Sequence, residues 1–270
     1  MVKPCSKDEA IRYLIKKFEV GIKKASQIMR RSRSSYYYET KLDDTELISK
    51  LKELVKSHPN RGFDNYYERI KRQGFKWSHN RVLRVYREQG LVRRAKKRKR
   101  LPEELRRPLQ SVTKLNETWS MDFMSDVLMD ERQLRVLNVI DDYNRECILA
   151  KGSYRYPSVR VIKELEIAIE KYEKPKYIRT NNENEFIYKE YKKWCKQNNI
   201  TRIYSEPGKP MQNGYIERFN RTFREDILDA YQLRSIKYFN EIADEWRSDY
   251  NDYHPHKSLG RKNPREYAKR

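Results

Sequence analysis

The sequence predicts an α+β layered domain preceded by an all-helical region. Three observations carry this. The order of segments from Trp119 onward reads β-β-β-α-β-α-β-α-α, which suits helices packed on a mixed sheet. Upstream, only helical periodicity is found, interrupted by Gly and Pro. The positive charge is also uneven. Residues 1–110 hold 31 Lys and Arg against 13 Asp and Glu, a net of +18 out of the total +22. The other 160 residues hold 30 against 26. A concentrated cationic surface favours nucleic acid through counterion release. A ribosome-bound or anionic-membrane protein shares that charge, so charge alone leaves those classes open.

The elements follow in order. Ile11, Leu14, Ile15 and Phe18 recur at helical spacing, Gly21 breaks the pattern, and Ala25 and Ile28 continue it on a second short helix. Arg33-Ser34-Ser35-Tyr36-Tyr37-Tyr38 then reads as the last helix of a helix-turn-helix, with Arg33 placed to meet DNA. This gives a first segment, 1–43. The second helical unit, 44–92, begins with an amphipathic helix on Leu47, Ile48, Leu51, Leu54 and Val55. The turn His58-Pro59-Asn60-Arg61-Gly62 follows. Asp64 is expected to cap the next helix, and Ser78 the one after it. This unit is expected to bind DNA, with Arg61 as a contact. Residues 93–115 read as a linker. They carry seven basic residues in eight, Arg93, Arg94, Lys96, Lys97, Arg98, Lys99 and Arg100, all assigned to DNA.

The short β-rich runs 119–127, 133–140, 145–151, 176–180 and 201–204 form the predicted sheet of a core at 116–230. Helices are expected at 157–173, 186–198, 213–229 and 236–250, with 231–270 as a C-terminal helix and tail. No apolar run approaches bilayer length, and MVKPCSKDEA is no signal peptide, so a soluble, cytoplasmic protein without membrane partner is expected. Cys5, Cys147 and Cys195 form no close pair, which argues against disulfides and a cysteine zinc site.

Asp122 lies within the first strand, Asn181 ends the fourth, and Glu217 sits early on the helix after Pro207-Gly208-Lys209-Pro210. A carboxylate inside an apolar strand is costly unless it is paired or holds a metal. Oxygen donors converging from neighbouring strands and one helix suit a pair of divalent cations that assist phosphoryl displacement. Asp141-Asp142 is read as a structural turn. His254 and His256 are read as packing residues rather than zinc ligands, since no Cys or His pair accompanies them.

Residues 117–270 resemble the catalytic core of bacterial insertion-sequence transposases of the insertion-sequence-3 class, relatives of retroviral integrases. The resemblance rests on Trp119-Ser120-Met121-Asp122-Phe123, Val139-Ile140-Asp141-Asp142-Tyr143, Glu206 to Pro210, Gln212 to Glu217, Phe219-Asn220, Tyr250-Asn251, Pro255-His256 and Ser258-Leu259-Gly260. Residues 44–100 resemble the domain that precedes this core. The resemblance implies a ribonuclease-H-like fold and DNA cleavage followed by strand transfer. It also implies two Mg²⁺ or Mn²⁺ ions held by an Asp-Asp-Glu triad. Asp122 and Glu217 match its first and third members, and position 181 has the required spacing. Asn181 stands where the second Asp belongs, and Asn181-Asn182-Glu183-Asn184-Glu185-Phe186 departs from the usual Asp-Asn-Gly-Pro-Glu-Phe. A decayed copy, a deliberate inactivation and a replacement ligand in Glu183 each account for it. The resemblance further implies DNA contacts at Lys209, Gln212 and Arg224, self-association on element ends and target DNA, and an upstream-frame partner with a helix-turn-helix and coiled coil. The alternative reading is a non-catalytic DNA-binding protein descended from a transposase.

Overall fold

The computed structural model describes residues 4–37, 43–92, 112–181, 189–204 and 213–269. The chain divides into two compact units, Met1–Glu46 and Leu47–Arg270. In the first, α1 (Pro4–Phe18), α2 (Ile22–Ile28) and α3 (Arg33–Tyr37) surround fully buried Ile11 and Ala25. Arg31 ties α3 back to α1 by an ion pair with Asp8. Arg33 is exposed at the start of α3.

The second unit opens with α4 (Thr45–Ser57), α5 (Phe63–Arg72) and α6 (His79–Glu88). Leu47, Leu51, Leu54, Tyr66, Ile70, Val82, Val85 and Tyr86 form their own apolar core. Ser78 caps α6, its hydroxyl accepting from the Arg81 amide, as the sequence suggests. Gly62, not Asp64, occupies the cap position of α5, so Asp64 falls inside the first turn. The sequence treats 44–92 as a domain of its own, but here it belongs to the same compact unit as the sheet.

The reason is a row of arginines facing the core. Arg61 pairs with Asp226. Arg69 grips Asp249 with its two terminal guanidinium nitrogens, at 2.8 and 2.5 Å, and its Nε donates to Asn65 Oδ1 at 2.8 Å. Arg72 donates to the Tyr253 carbonyl at 2.8 Å and pairs with Glu266 at 3.1 Å. Bidentate pairs of this kind fix orientation as well as contribute attraction.

The sheet has the order β3-β2-β1-β4-β5, formed by β1 (Thr118–Val127), β2 (Gln133–Asp141), β3 (Cys147–Ser153), β4 (Tyr177–Thr180) and β5 (Thr201–Tyr204). The first three strands are antiparallel, and β4 and β5 run parallel to β1. One face carries Trp119, Met121, Phe123, Leu137 and Val139 against α7 (Ser158–Tyr172) and α8 (Lys189–Gln197). The other carries Met124, Leu134, Val136 and Ile140 against α9 (Gly214–Phe223) and α10 (Ile236–Tyr253). This is the ribonuclease-H-like arrangement expected from the sequence. The helix expected over 213–229 is broken: α9 ends at Phe223 and a π-helical turn runs from Arg224 to Leu228. A 3₁₀ turn at Lys257–Leu259 and α11 (Pro264–Ala268) complete the chain. Among the described residues, no helix is long and apolar enough to cross a membrane. Cys147 and Cys195 are buried free thiols.

The outer edge of β3 is covered by α10 through two asparagines. Asn251 accepts from the Cys147 amide at 2.8 Å and donates to its carbonyl at 3.0 Å. Asn240 does the same at Gly152, at 2.8 and 3.2 Å. The spacing explains why both can act. Eleven residues of helix and five of strand each span about 16.5 Å. Each side-chain amide thus replaces a missing neighbouring strand, which closes an edge otherwise open to pairing. Gly152 permits the approach, since a Cβ there would collide with the Phe239 ring.

Asn251→Ala is expected to leave two buried backbone groups unpaired, at about 1–3 kcal/mol each, read by urea denaturation. Arg61→Ala is expected to strand the buried Asp226 carboxylate and cost about 3–5 kcal/mol. A loss below about 1 kcal/mol in the same assay would mean that water already reaches that pair.

Candidate active site

The site begins with the register of β1 and β4. Thr118, Trp119 and Ser120 lie beside Tyr177, Ile178 and Arg179. The same offset, carried two residues further, sets Asp122 beside Asn181. Side chains alternate across the sheet, so Asp122 points to the α9 face while Met121 and Phe123 point to the opposite layer. There the Asn181 amide donates to Asp122 Oδ1 at 2.8 Å.

The second carboxylate oxygen is also engaged. Ile216, Phe219 and Phe223 bury one side of α9 against the sheet, and this brings Asn220 over β1. Asn220 Nδ2 donates to Asp122 Oδ2 at 2.8 Å. Its own carbonyl oxygen accepts from Asn138 Nδ2 at 2.8 Å. Asn138 is fully buried on β2, directly opposite Asp122 in the antiparallel register. A hydrogen-bonded chain therefore runs from Asn138 through Asn220 to Asp122, with Asn181 closing on it from the other strand. Sequence reasoning missed Asn138 and placed no role on Asn220. The available signal was a lone Asn inside the apolar run Leu134-Arg135-Val136-Leu137-Asn138-Val139-Ile140.

Glu217 lies one turn before Asn220 on α9 and is exposed. Partial burial raises its carboxyl pKa, against the opposing pull of Arg221. The structure thus brings the first two motif positions into contact and leaves the third nearby, on the same helix as Asn220.

This donor set falls short of the three carboxylates that the motif is expected to offer a pair of ions. A carboxylate can only accept, so the Asn181 nitrogen must face Asp122 and its oxygen faces away. Turning that oxygen toward a shared cation would break the bond to Asp122. The site offers two carboxylates where the motif has three. Among the described residues, no three His, Cys, Asp or Glu side chains cluster closely enough to hold a metal. Glu183, the other carboxylate considered for the role, lies outside the described residues.

The remaining expectations divide. Asp141 closes the turn after β2, accepting from the amides of Asn116 and Tyr143 at 2.7 Å each, and burial raises its pKa to about 6. Asp142 pairs with buried Arg179 at 2.5 Å. Both are therefore structural, as read from the sequence. His254 stacks on Tyr250 at 4.9 Å and meets His256 edge-on at 4.8 Å. Burial, then nearby Arg145 and Arg218, push His256 down to about 3, so its ring is neutral. Arg224 is partly exposed and holds Asp126 at 3.2 Å and the Ser125 carbonyl at 3.0 Å. Arg61 requires correction as a DNA contact. It is 6% exposed and its guanidinium is turned inward to Asp226, which leaves little of it to offer a phosphate. Arg93, Arg94, Lys96, Lys97, Arg98, Lys99, Arg100, Lys209 and Gln212 lie outside the described residues.

Known proteins agree with this architecture. Residues 112–210 and 198–264 each match the integrase core domain. An insertion element IS407 protein of Burkholderia multivorans is 32% identical over 255 residues, covering 93% of this chain and 92% of the relative. The transposase InsD for insertion element IS2 of Escherichia coli is 22% identical, covering 89% of this chain and 81% of the relative. In fold, the chain is similar to one in the simian T-cell lymphotropic virus intasome, with a TM-score of 0.50 and 17% identity, over 82% of this chain and 74% of that one. With a sheet of the same kind, two integrase-core matches and a relative aligned along nearly its whole length, the chain belongs to the insertion-sequence transposases built on an integrase catalytic core.

Proposed function

We propose that this chain binds the DNA ends of a mobile element and carries the strand-cleavage and strand-transfer site of transposition in a weakened form. The observation that carries this reading is the contact of Asn181 with Asp122. Where the family motif sets two carboxylates side by side, this chain sets a carboxylate beside an amide donor. Two adjacent carboxylates repel until a cation lies between them. An amide removes that repulsion, and with it much of the attraction for the cation. Family chemistry at this site assists the attacking and leaving oxygens electrostatically, and that assistance is what position 181 forfeits.

The remaining parts of the reading are Mg²⁺ or Mn²⁺ as the family cofactor, self-association on element and target DNA, and an upstream-frame helix-turn-helix and coiled-coil partner. DNA affinity is assigned to exposed Arg33 and to the basic run at 93–100, together with Lys209, Gln212 and Arg224. The second reading, a binding protein without catalysis, is favoured by one specific observation: both Asp122 oxygens already accept amide hydrogens.

The two readings separate on restoration of the carboxylate. Asn181→Asp is expected to raise strand transfer of pre-cut element ends in Mn²⁺ by a factor on the order of 10² to 10³. Asn181→Asp with Glu183→Gly and Asn184→Pro is the fuller repair. Failure of both to join strands, with DNA binding intact, would support the binding-only reading. An unaltered chain already as fast as the repaired ones would show Asn181 to be a working ligand. Replacing the seven basic residues within 93–100 by Gln should flatten the salt dependence of duplex binding by about 0.9 in slope for each phosphate no longer neutralised. Truncation of the whole basic half is a poorer test, because α4 to α6 are bound to the core through Arg61, Arg69 and Arg72.

A further inference from the structure

A groove of 720 Å³ opens along the side of α9, between that helix and the segment that follows α10. Glu217 stands on its wall, so it adjoins the motif site. Its charge is mostly positive, with three cations against the one carboxylate of Glu217. Arg218 projects from α9 and Lys257 from the 3₁₀ turn, both exposed. Arg145 lies deeper, its guanidinium 3.5 Å from the centre of the Tyr215 ring. None of these three cations has a carboxylate within ion-pairing distance among the described residues, whereas Arg61, Arg69, Arg72, Arg179 and Arg265 all do.

Two further observations accord with an anion in the groove. The Arg145 Nη1 and the His256 Nε2, both on its lining residues, are buried and lack a hydrogen-bond partner among the described residues. Unsatisfied buried polar atoms are rare and call for an explanation. After burial, the largest cause, Arg145 and Arg218 also lower the His256 pKa, so both cations lie close to the ring. The three cations outnumber the Glu217 carboxylate on this wall, and repulsion among them costs stability unless a ligand neutralises them. The volume lies in the range that takes ligands of many atoms, about 300–1,000 Å³, and exceeds the needs of one free phosphate.

We propose that this groove seats a nucleic-acid backbone, with phosphodiesters of the strand that passes Glu217 held between Arg218 and Lys257 and backed by Arg145. The inference rests on the DNA-binding reading above and adds a site to it. No part of the chain assigned to DNA from the sequence lies in this groove. Its C-terminal wall would make residues 254–258 part of the DNA-holding surface.

The test uses the full chain and a fluorescein-labelled duplex, with anisotropy followed across a salt series. Arg218→Gln with Lys257→Gln is compared with Lys192→Gln with Lys193→Gln. The second pair removes the same charge from exposed positions on α8, in the opposite helical layer. The groove variant is expected to weaken binding and lower the salt slope by about 1.8 if each of the two cations neutralises one phosphate, with the α8 variant unchanged. Thermal melting of both variants checks that the fold is retained, and Arg218→Lys with Lys257→Arg should restore the slope. An unchanged slope in the groove variant, or equal losses in both variants, overturns the groove while leaving the DNA-binding reading in place. An unaltered chain with no salt-dependent binding overturns both.

Discussion

The site depends on one constraint: a carboxylate in the middle of a strand must be balanced. Asp122 sits on the face of β1 that also carries part of the apolar core. Left without partners there, its charge would cost several kcal/mol in solvation. The chain answers with two amides from two different elements, Asn181 at the end of β4 and Asn220 on α9. Each arrives through ordinary packing, one by the parallel register and the other by the apolar side of a helix. Asn138 then fixes the orientation of Asn220 from below. Charge is thus balanced by dipoles inside the protein. Such a network holds the Asp122 carboxylate in place through hydrogen bonds alone.

A second use of asparagine lies at the far edge of the sheet. Asn240 and Asn251 supply peptide-like donors and acceptors to β3. Helix and strand match in length over the interval between them, so one rigid helix serves both contacts. The same helix presents Asp249 to Arg69 and its terminal Tyr253 carbonyl to Arg72 on the other side. It therefore couples the edge of the sheet to α5. With Arg61 reaching Asp226 in the turn after α9, the helical module is bound to the two helices nearest the site. The basic residues Arg61, Arg69 and Arg72 of this region are thus internal ties. Arg218, Lys257 and Arg145 differ in forming no ion pair among the described residues, while lining one groove.

Much of this was legible beforehand. Strand-forming composition around Trp119 to Val127 and helical spacing in residues 157–173 located their elements because both signals are local. The Ser78 cap was legible because an N-cap hydroxyl acts within three residues. The break after Phe223 was not, since the apolar spacing continues through Ile227 and Leu228, both buried on the same core. Arg61 was misplaced for a related reason. Its neighbours announce a turn, but its partner Asp226 lies 165 residues further along the chain.

The sequence by itself determined the order of layers, the positions of Asp122, Asn181 and Glu217, and the fact that an amide stands at the second of them. These follow from local periodicity and from side-chain identity, neither of which needs a fold. Only the tertiary structure decided what that amide does, that Asn220 and Asn138 share in it, and which cations are answered by carboxylates. Those contacts join residues up to 194 positions apart. They exist only once strand register and helix packing have brought distant segments within hydrogen-bonding distance.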